Sequence, residues 1–137
     1  MRIKGEISLP GDKSISHRAL MFASLTDGEC VIHNISTGED VESTRKCLAE
    51  CGIQSVKSGN TVRIKGGVFS NPSKPLNCGN SGTTIRLLAG LLAGKRITAE
   101  FTGDVSLAKR PMSRITVYYT HLTLPTTLRT LSTGFSF

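Results

Sequence analysis

The chain has 137 residues, 38% of them apolar and 20% charged, with 14 glycines and a formal net charge of +7. That is enough for one domain burying roughly two-thirds of its unfolded surface, and it excludes collagen-like and disordered classes; no apolar run reaches membrane-spanning length. The 17 basic residues are scattered among 10 acidic ones, and aromatics make up only 5%. This distribution argues against nucleic acid, which asks for a basic stripe or a stacking series, and leaves small polyanions as the partners that the charge suits.

In chain order, residues 2–9 alternate with apolar side chains at 3, 7 and 9, which predicts a short strand ended by Pro10-Gly11. Ser14 to Leu25 predicts a helix with Ile15, Ala19, Leu20, Phe22, Ala23 and Met21 on one broad apolar face, stopped at Asp27-Gly28. Residues 30–35 predict a strand. Residues 38–51 predict a helix opened by Thr37 or Gly38, acidic in its first turn and ended by Gly52. Ile53 to Val56 and Val62 to Ile64 predict a hairpin around Ser58-Gly-Asn60. This order makes one βαβαββ unit over about 1–66. A second unit begins after the loop 67–75 and runs over about 75–115, with a helix from Thr83 to Ala93 stopped by Gly94, a strand from Ile97 to Phe101 and another helix starting near Pro111. The fold class expected is therefore mixed α/β.

The stretch 116–137 reads differently. Seven of its 22 residues are threonine and Arg129 is its one charged residue. A helix opened at Arg110-Pro-Met-Ser-Arg-Ile115 should continue amphipathically, but the sequence turns β-branched and is broken by Pro125. Two readings stand: a truncated or frameshifted tail after a native segment ending near Ile115, or a natural β-rich ending.

Four cysteines, Cys30, Cys47, Cys51 and Cys78, occur without a signal peptide, since Met1-Arg-Ile-Lys-Gly5 leads into no apolar core segment. A reduced, cytoplasmic setting is expected. Cys47 and Cys51, four apart on a helix, read either as the start of a metal site or as buried thiols, and no histidine or second cysteine pair stands at finger spacing. Asn34-Ile-Ser36 matches a glycosylation acceptor that has meaning only in a secreted chain.

The chemistry concentrates in segments that run from a glycine turn into a helix start. In Leu9-Pro-Gly-Asp-Lys-Ser-Ile-Ser-His-Arg-Ala19, unpaired backbone N–H groups and a partial positive charge meet Lys13, Ser14 and Arg18. A helix starting at Ser14 puts Ser14 and Arg18 on one face, with Lys13 at its mouth. Arginine grips a carboxylate or phosphate with two parallel bonds, lysine supplies a point charge and serine a hydroxyl. The plain alternative is that Ser14 caps the helix and Arg18 is a solvated surface residue. Asn77-Cys-Gly-Asn-Ser-Gly-Thr-Thr-Ile-Arg-Leu87 repeats the logic with less charge, Gly79 and Gly82 opening the backbone and Asn80 adding an amide. It is neither a Walker loop nor a dinucleotide fingerprint. Arg86 is left without a role. Lys109-Arg-Pro-Met112 adds a third cationic segment. His17 is a poor base if it shares that cationic pocket, and no acid–base pair is identifiable, so the cradle binds without catalysing.

Taken together and in this order, Leu9 to Ala19, Gly79-Asn-Ser-Gly-Thr83 and Lys109-Arg-Pro111 resemble the N-terminal part of the enolpyruvylshikimate-phosphate synthases over about residues 1–115. In the sister enolpyruvyl transferases acting on UDP-N-acetylglucosamine the lysine is followed by asparagine, so Ser14 favours the shikimate family. The resemblance implies two domains, each of three βαβαββ units in an inside-out α/β barrel, of which this chain holds one unit and part of another. It implies transfer of the enolpyruvyl group of phosphoenolpyruvate to the 5-hydroxyl of shikimate 3-phosphate, releasing phosphate, with no metal or organic cofactor, by a monomer with neither nucleic acid nor membrane as partner. By the same resemblance Lys13 is catalytic and touches both substrates, Ser14 and Arg18 hold shikimate 3-phosphate, and Asn80, Gly82 and Arg110 hold phosphoenolpyruvate. The family's proton-transfer acids fall outside the chain, so it is expected to be inactive alone. A non-catalytic phosphate- or carboxylate-binding module is the alternative.

Overall fold

A computed structural model describes residues 4–113 and 115. It is a mixed α/β assembly in which three helices pack on each other and the first of them packs on a small sheet. The elements are α1 (Lys13–Ser24), β1 (Glu29–Ile32), α2 (Glu39–Glu50), β2 (Ser55–Ser58), β3 (Thr61–Lys65), β4 (Leu76–Asn77), α3 (Gly82–Gly94), β5 (Phe101–Thr102) and α4 (Val105–Ala108). β1, β3 and β2 form an antiparallel sheet in that order, and β4 pairs with β5 in parallel, Leu76 opposite Phe101.

Alternation decides the sheet's inner face: Val62 and Ile64 are buried while Arg63 and Lys65 are exposed, as a pleated strand with one wet side requires. The predicted hairpin forms, with Ser58 paired to Thr61 around Gly59, whose φ is +58°. α1 lays Leu20 and Met21 against this face, and α2 and α3 pack on α1 and on each other, adding Val41, Leu48, Leu88 and Leu92 to one buried apolar cluster. Truncating Leu20, Leu48 or Leu88 to alanine leaves a cavity costing roughly 2–5 kcal/mol. α2 closes as predicted at Gly52, φ +91°, with Gly52 N–H donating to Ala49 O and Ile53 N–H to Leu48 O, both at 3.0 Å, the left-handed closure that glycine permits.

Several expectations are corrected. Residues 4–9 form no strand; Ile7 and Leu9 are 83% and 73% exposed, and the segment is tied at Leu9 O, which accepts from Asn34 Nδ2 at 3.4 Å. Alternation alone makes no strand without a partner edge. α1 is capped by Asp12, whose Oδ1 accepts from Ile15 N–H at 2.7 Å, so the helix begins at Lys13 and not at Ser14. Its buried face is also shifted: Ile15 and Phe22 are exposed, while Ser16, His17 and Ser24 are buried. The strand after α1 ends at Ile32, because Asn34 adopts φ +52° and turns the chain before Ile35. Gly94 is the last residue of α3, and the left-handed turn after it falls on Arg96, φ +58°. The strand predicted over 97–101 shrinks to Phe101–Thr102, and the short β4 and α4 were not expected. Ser113 and Ile115 are helical, as the helix near Pro111 requires. The two readings of 116–137 lie outside the described residues.

Candidate functional site

Two hydrogen-bonded pairs four residues apart on each helix, Lys13 with Asp40 and His17 with Thr44, show that α1 and α2 run in parallel and start together. α3 starts beside them, because the Thr84 hydroxyl in its first turn donates to Asp40 O at 3.2 Å. Backbone N–H groups of the helix starts therefore gather at one end of the molecule, where their dipoles favour anions.

The α1 start is open. Lys13 Nζ lies 2.9 Å from Asp40 Oδ2 in a pair whose lysine side chain is 55% exposed. Such a pair contributes at most about 1 kcal/mol, so an incoming anion can take the lysine. Ser14 and Arg18 are exposed on the same side of α1, one turn apart. No hydrogen bond or ion pair engages the Arg18 guanidinium among the described residues.

The α3 start is built more tightly. Ser81 caps it, its Oγ accepting from Thr84 N–H at 3.1 Å. Asn80 is held from both sides: its Nδ2 donates to Asp104 Oδ2 at 2.7 Å, and its Oδ1 accepts from the Arg110 guanidinium. Asp104 in turn caps α4, accepting from Leu107 N–H at 2.7 Å. That backbone bond first, and the Asn80 amide second, keep the Asp104 carboxyl below its usual range. Gly82 matters by what it lacks. A Cβ there would stand 3.1 Å from Arg110 Nη1 and 3.3 Å from Arg86 Nη1, so the missing side chain lets two guanidinium groups sit over the first turn of α3. Arg86, given no role from sequence, joins the site here, and its guanidinium has no hydrogen bond or ion pair among the described residues.

Lys13, Asn80, Gly82 and Arg110 thus sit at adjacent helix starts, with Ser14 and Arg18 on the open side of α1. Sequence reasoning missed Asp40 and Asp104. The one readable signal was an aspartate at each helix opening, in Gly38-Glu-Asp40 and Gly103-Asp104. His17 is not in the cationic pocket: it is fully buried, and burial first, then the Lys13 charge, lowers its pKa against the pull of Asp40. Cys47, Cys51 and Cys78 are buried free thiols. Burial pushes Cys51 up to about 11, and the neighbouring Cys47 thiol, then burial, pushes Cys78 up as well. Thiols held protonated are poor metal ligands, and no group of three or more His, Cys, Asp or Glu is placed to hold a metal among the described residues. A surface hollow of about 270 Å³ lined by Ser43, Lys46, Glu50, Lys74 and Gly79 lies beside the α3 turn, and contains none of Lys13, Arg18 or Arg110. No described helix is long and apolar enough to cross a membrane.

Comparison with known proteins finds relatives by sequence and by structure. The 3-phosphoshikimate 1-carboxyvinyltransferase of Streptococcus gordonii is 48% identical over 118 residues, which cover 84% of this chain and 28% of that protein. The protein of the same name from Bacillus licheniformis is 44% identical over 117 residues, covering 83% of this chain and 27% of that one. Two solved structures of EPSP synthase from Acinetobacter baumannii superpose with TM-scores of 0.76 and 0.78 at 35% and 38% identity, over 85% and 82% of this chain and 27% and 26% of theirs. The chain thus spans little more than a quarter of the length of these relatives. A family model described as EPSP synthase, 3-phosphoshikimate 1-carboxyvinyltransferase, matches residues 1–122, and the chain belongs to that family.

Proposed function

We propose that this chain supplies part of the substrate site of a 3-phosphoshikimate 1-carboxyvinyltransferase, in which the 5-hydroxyl of shikimate 3-phosphate adds across the C2=C3 bond of phosphoenolpyruvate, oxygen to C2 and a proton to C3, and the tetrahedral intermediate then loses phosphate and a proton from C3. The observation that carries this reading is the meeting, at adjacent helix starts, of cationic and amide groups from segments nearly a hundred residues apart, Lys13 at one end and Arg110 at the other. Both substrates are polyanions, so bringing them together needs several positive groups to offset their repulsion.

In this reading Ser14 and Arg18 hold shikimate 3-phosphate on the open α1 side. Asn80, the Gly82 backbone and Arg110 hold phosphoenolpyruvate at the α3 start. Lys13 lies between and touches both, offsetting the repulsion between the two anions. Asp104 acts as a holder that fixes Asn80, while Asp40 lends Lys13 a counter-charge that an incoming anion displaces. The proton-transfer groups are assigned to the portion of the relatives' length that this chain does not span. The four free thiols fit a reducing, cytoplasmic setting.

Calorimetric titration of the 137-residue chain tests the assignment. Shikimate 3-phosphate binds, and Lys13→Ala or Arg18→Ala abolishes the heat. Equal affinity for unrelated sugar phosphates overturns the assignment in favour of a general phosphate binder. With both substrates present, phosphate release stays at background.

A further inference from the structure

A line of buried hydrogen bonds runs across the three helices just beneath the site. His17 Nδ1 of α1 lies 2.7 Å from Thr44 Oγ1 of α2, which lies 2.7 Å from Thr84 Oγ1 of α3, which lies 2.7 Å from Ser81 Oγ, the α3 cap. His17, Thr44 and Thr84 are 0% exposed and Ser81 is 1%. In an interior this dry a polar line is stabilising only when its protons are consistently placed.

Counting them fixes its direction. Thr84 has one hydroxyl proton, and two acceptors lie in front of it, Ser81 Oγ at 2.7 Å and the Asp40 carbonyl at 3.2 Å. Its contact with Thr44 is therefore as acceptor, and Thr44 donates to Thr84. Having given its proton away, Thr44 accepts from His17, so the histidine proton sits on Nδ1. Among the described residues His17 Nε2 has no hydrogen-bond partner. In this arrangement Nε2 is a bare lone pair, whereas the opposite direction would strand a buried N–H donor, the rarer and costlier defect.

We infer that His17, as the neutral Nδ1–H tautomer, is a positioning residue that sets the spacing between the α1 half of the site (Lys13, Ser14, Arg18) and the α3 half (Asn80, Gly82, Arg110) through Thr44 and Thr84. The inference rests on the preceding reading that the two helix starts serve one ligand pair. Lys13 is one helical turn before His17, and Ser81 stands between Asn80 and Gly82, so a change of length in the line moves both halves. Burial also lowers the pKa of His17 and so disfavours its charged form, in keeping with the single proton count. Because Lys13 touches both ligands, occupancy of one half favours the other only while the spacing holds.

Two measurements decide it. Nitrogen-15 NMR of the imidazole in the whole chain shows a protonated Nδ1 and an unprotonated Nε2; the reverse pattern overturns the assignment. Titration of phosphoenolpyruvate with and without saturating shikimate 3-phosphate then gives a coupling factor, expected at about 5-fold or more in the natural chain. Thr44→Val and His17→Gln bring it near one, while His17→Asn, whose amide N–H takes the place of Nδ1–H, and Thr44→Ser, which keeps the hydroxyl, restore it. A residue with only a structural role would lower the melting temperature in the first pair and leave coupling intact, and that outcome sinks the inference alone. A natural chain that binds neither ligand sinks the reading of the site as well. If Thr44→Val or His17→Gln fails to fold, the conservative pair decides instead: loss of coupling in a cooperatively melting protein overturns the inference.

Discussion

The two helix starts gather cationic and amide groups by different means. The start of α1 keeps its cations free or loosely paired, with Lys13 half-exposed against Asp40 and Arg18 reaching into solvent. The start of α3 has its amide clamped between Asp104 and Arg110, with guanidinium groups in the space that Gly82 leaves. On the proposed reading, one half is adaptable and would gain its order when a ligand arrives, while the other is preorganised and has little reorganisation left to supply. Variants of the clamped half should therefore lower affinity, whereas a variant of the open half can raise it.

The strongest challenge to that contrast is Arg110→Ala, which removes a charged donor and at the same time releases Asn80. Phosphoenolpyruvate affinity, read by titration, should fall about 10- to 100-fold, the range of one or two charge-assisted hydrogen bonds. A change below threefold would mean that the clamp is not part of the ligand site. Gly82→Ala comes next. Its methyl meets the ends of two flexible side chains and no backbone, so the fold should melt within a few degrees of the parent while phosphoenolpyruvate affinity drops about 3- to 10-fold.

Asp40→Asn probes the open half in the opposite direction. Freed of its counter-charge, Lys13 should bind shikimate 3-phosphate about 2- to 5-fold more tightly, in keeping with the small worth of a half-exposed ion pair. Weaker binding instead would show that Asp40 positions the lysine rather than competing for it. The smallest effect is in acid. The Asp104 carboxyl is held below the ordinary aspartate value by Leu107 N–H and Asn80. Its contribution to stability is therefore fully present above that ordinary value, about 3.9, and fades as pH falls through the lower folded one. Melting temperatures taken from about pH 5 down to about pH 2.5, a window bracketing that fade, should decline less steeply for Asp104→Asn than for the parent chain.

Much of this architecture was legible in the residues. Gly52 had to end α2, because the turn after it needs a positive φ. The hairpin was readable from Ser58-Gly-Asn60, and the α3 start from its glycines and hydroxyls. The buried face of α1 was not. Ile15 and Phe22 suit an apolar stripe by period alone, yet they face outward while His17 and Ser16 turn in, because Thr44 and the N–H of Ser36 offer them partners from elsewhere in the chain. Periodicity counts apolar residues and has no means of seeing a satisfied polar one.

By itself, then, the sequence determined which short segments would present N–H groups, hydroxyls and cations at helix starts, since glycine turns, caps and spacing are local matters of backbone geometry. Tertiary structure alone decided that these starts stand side by side, that Asp40 and Asp104 attend them, that the Arg86 guanidinium lies over the start of α3 and that His17 lies beneath. Those outcomes depend on packing between residues tens of positions apart, where burial and the need to pair every polar group select the partners.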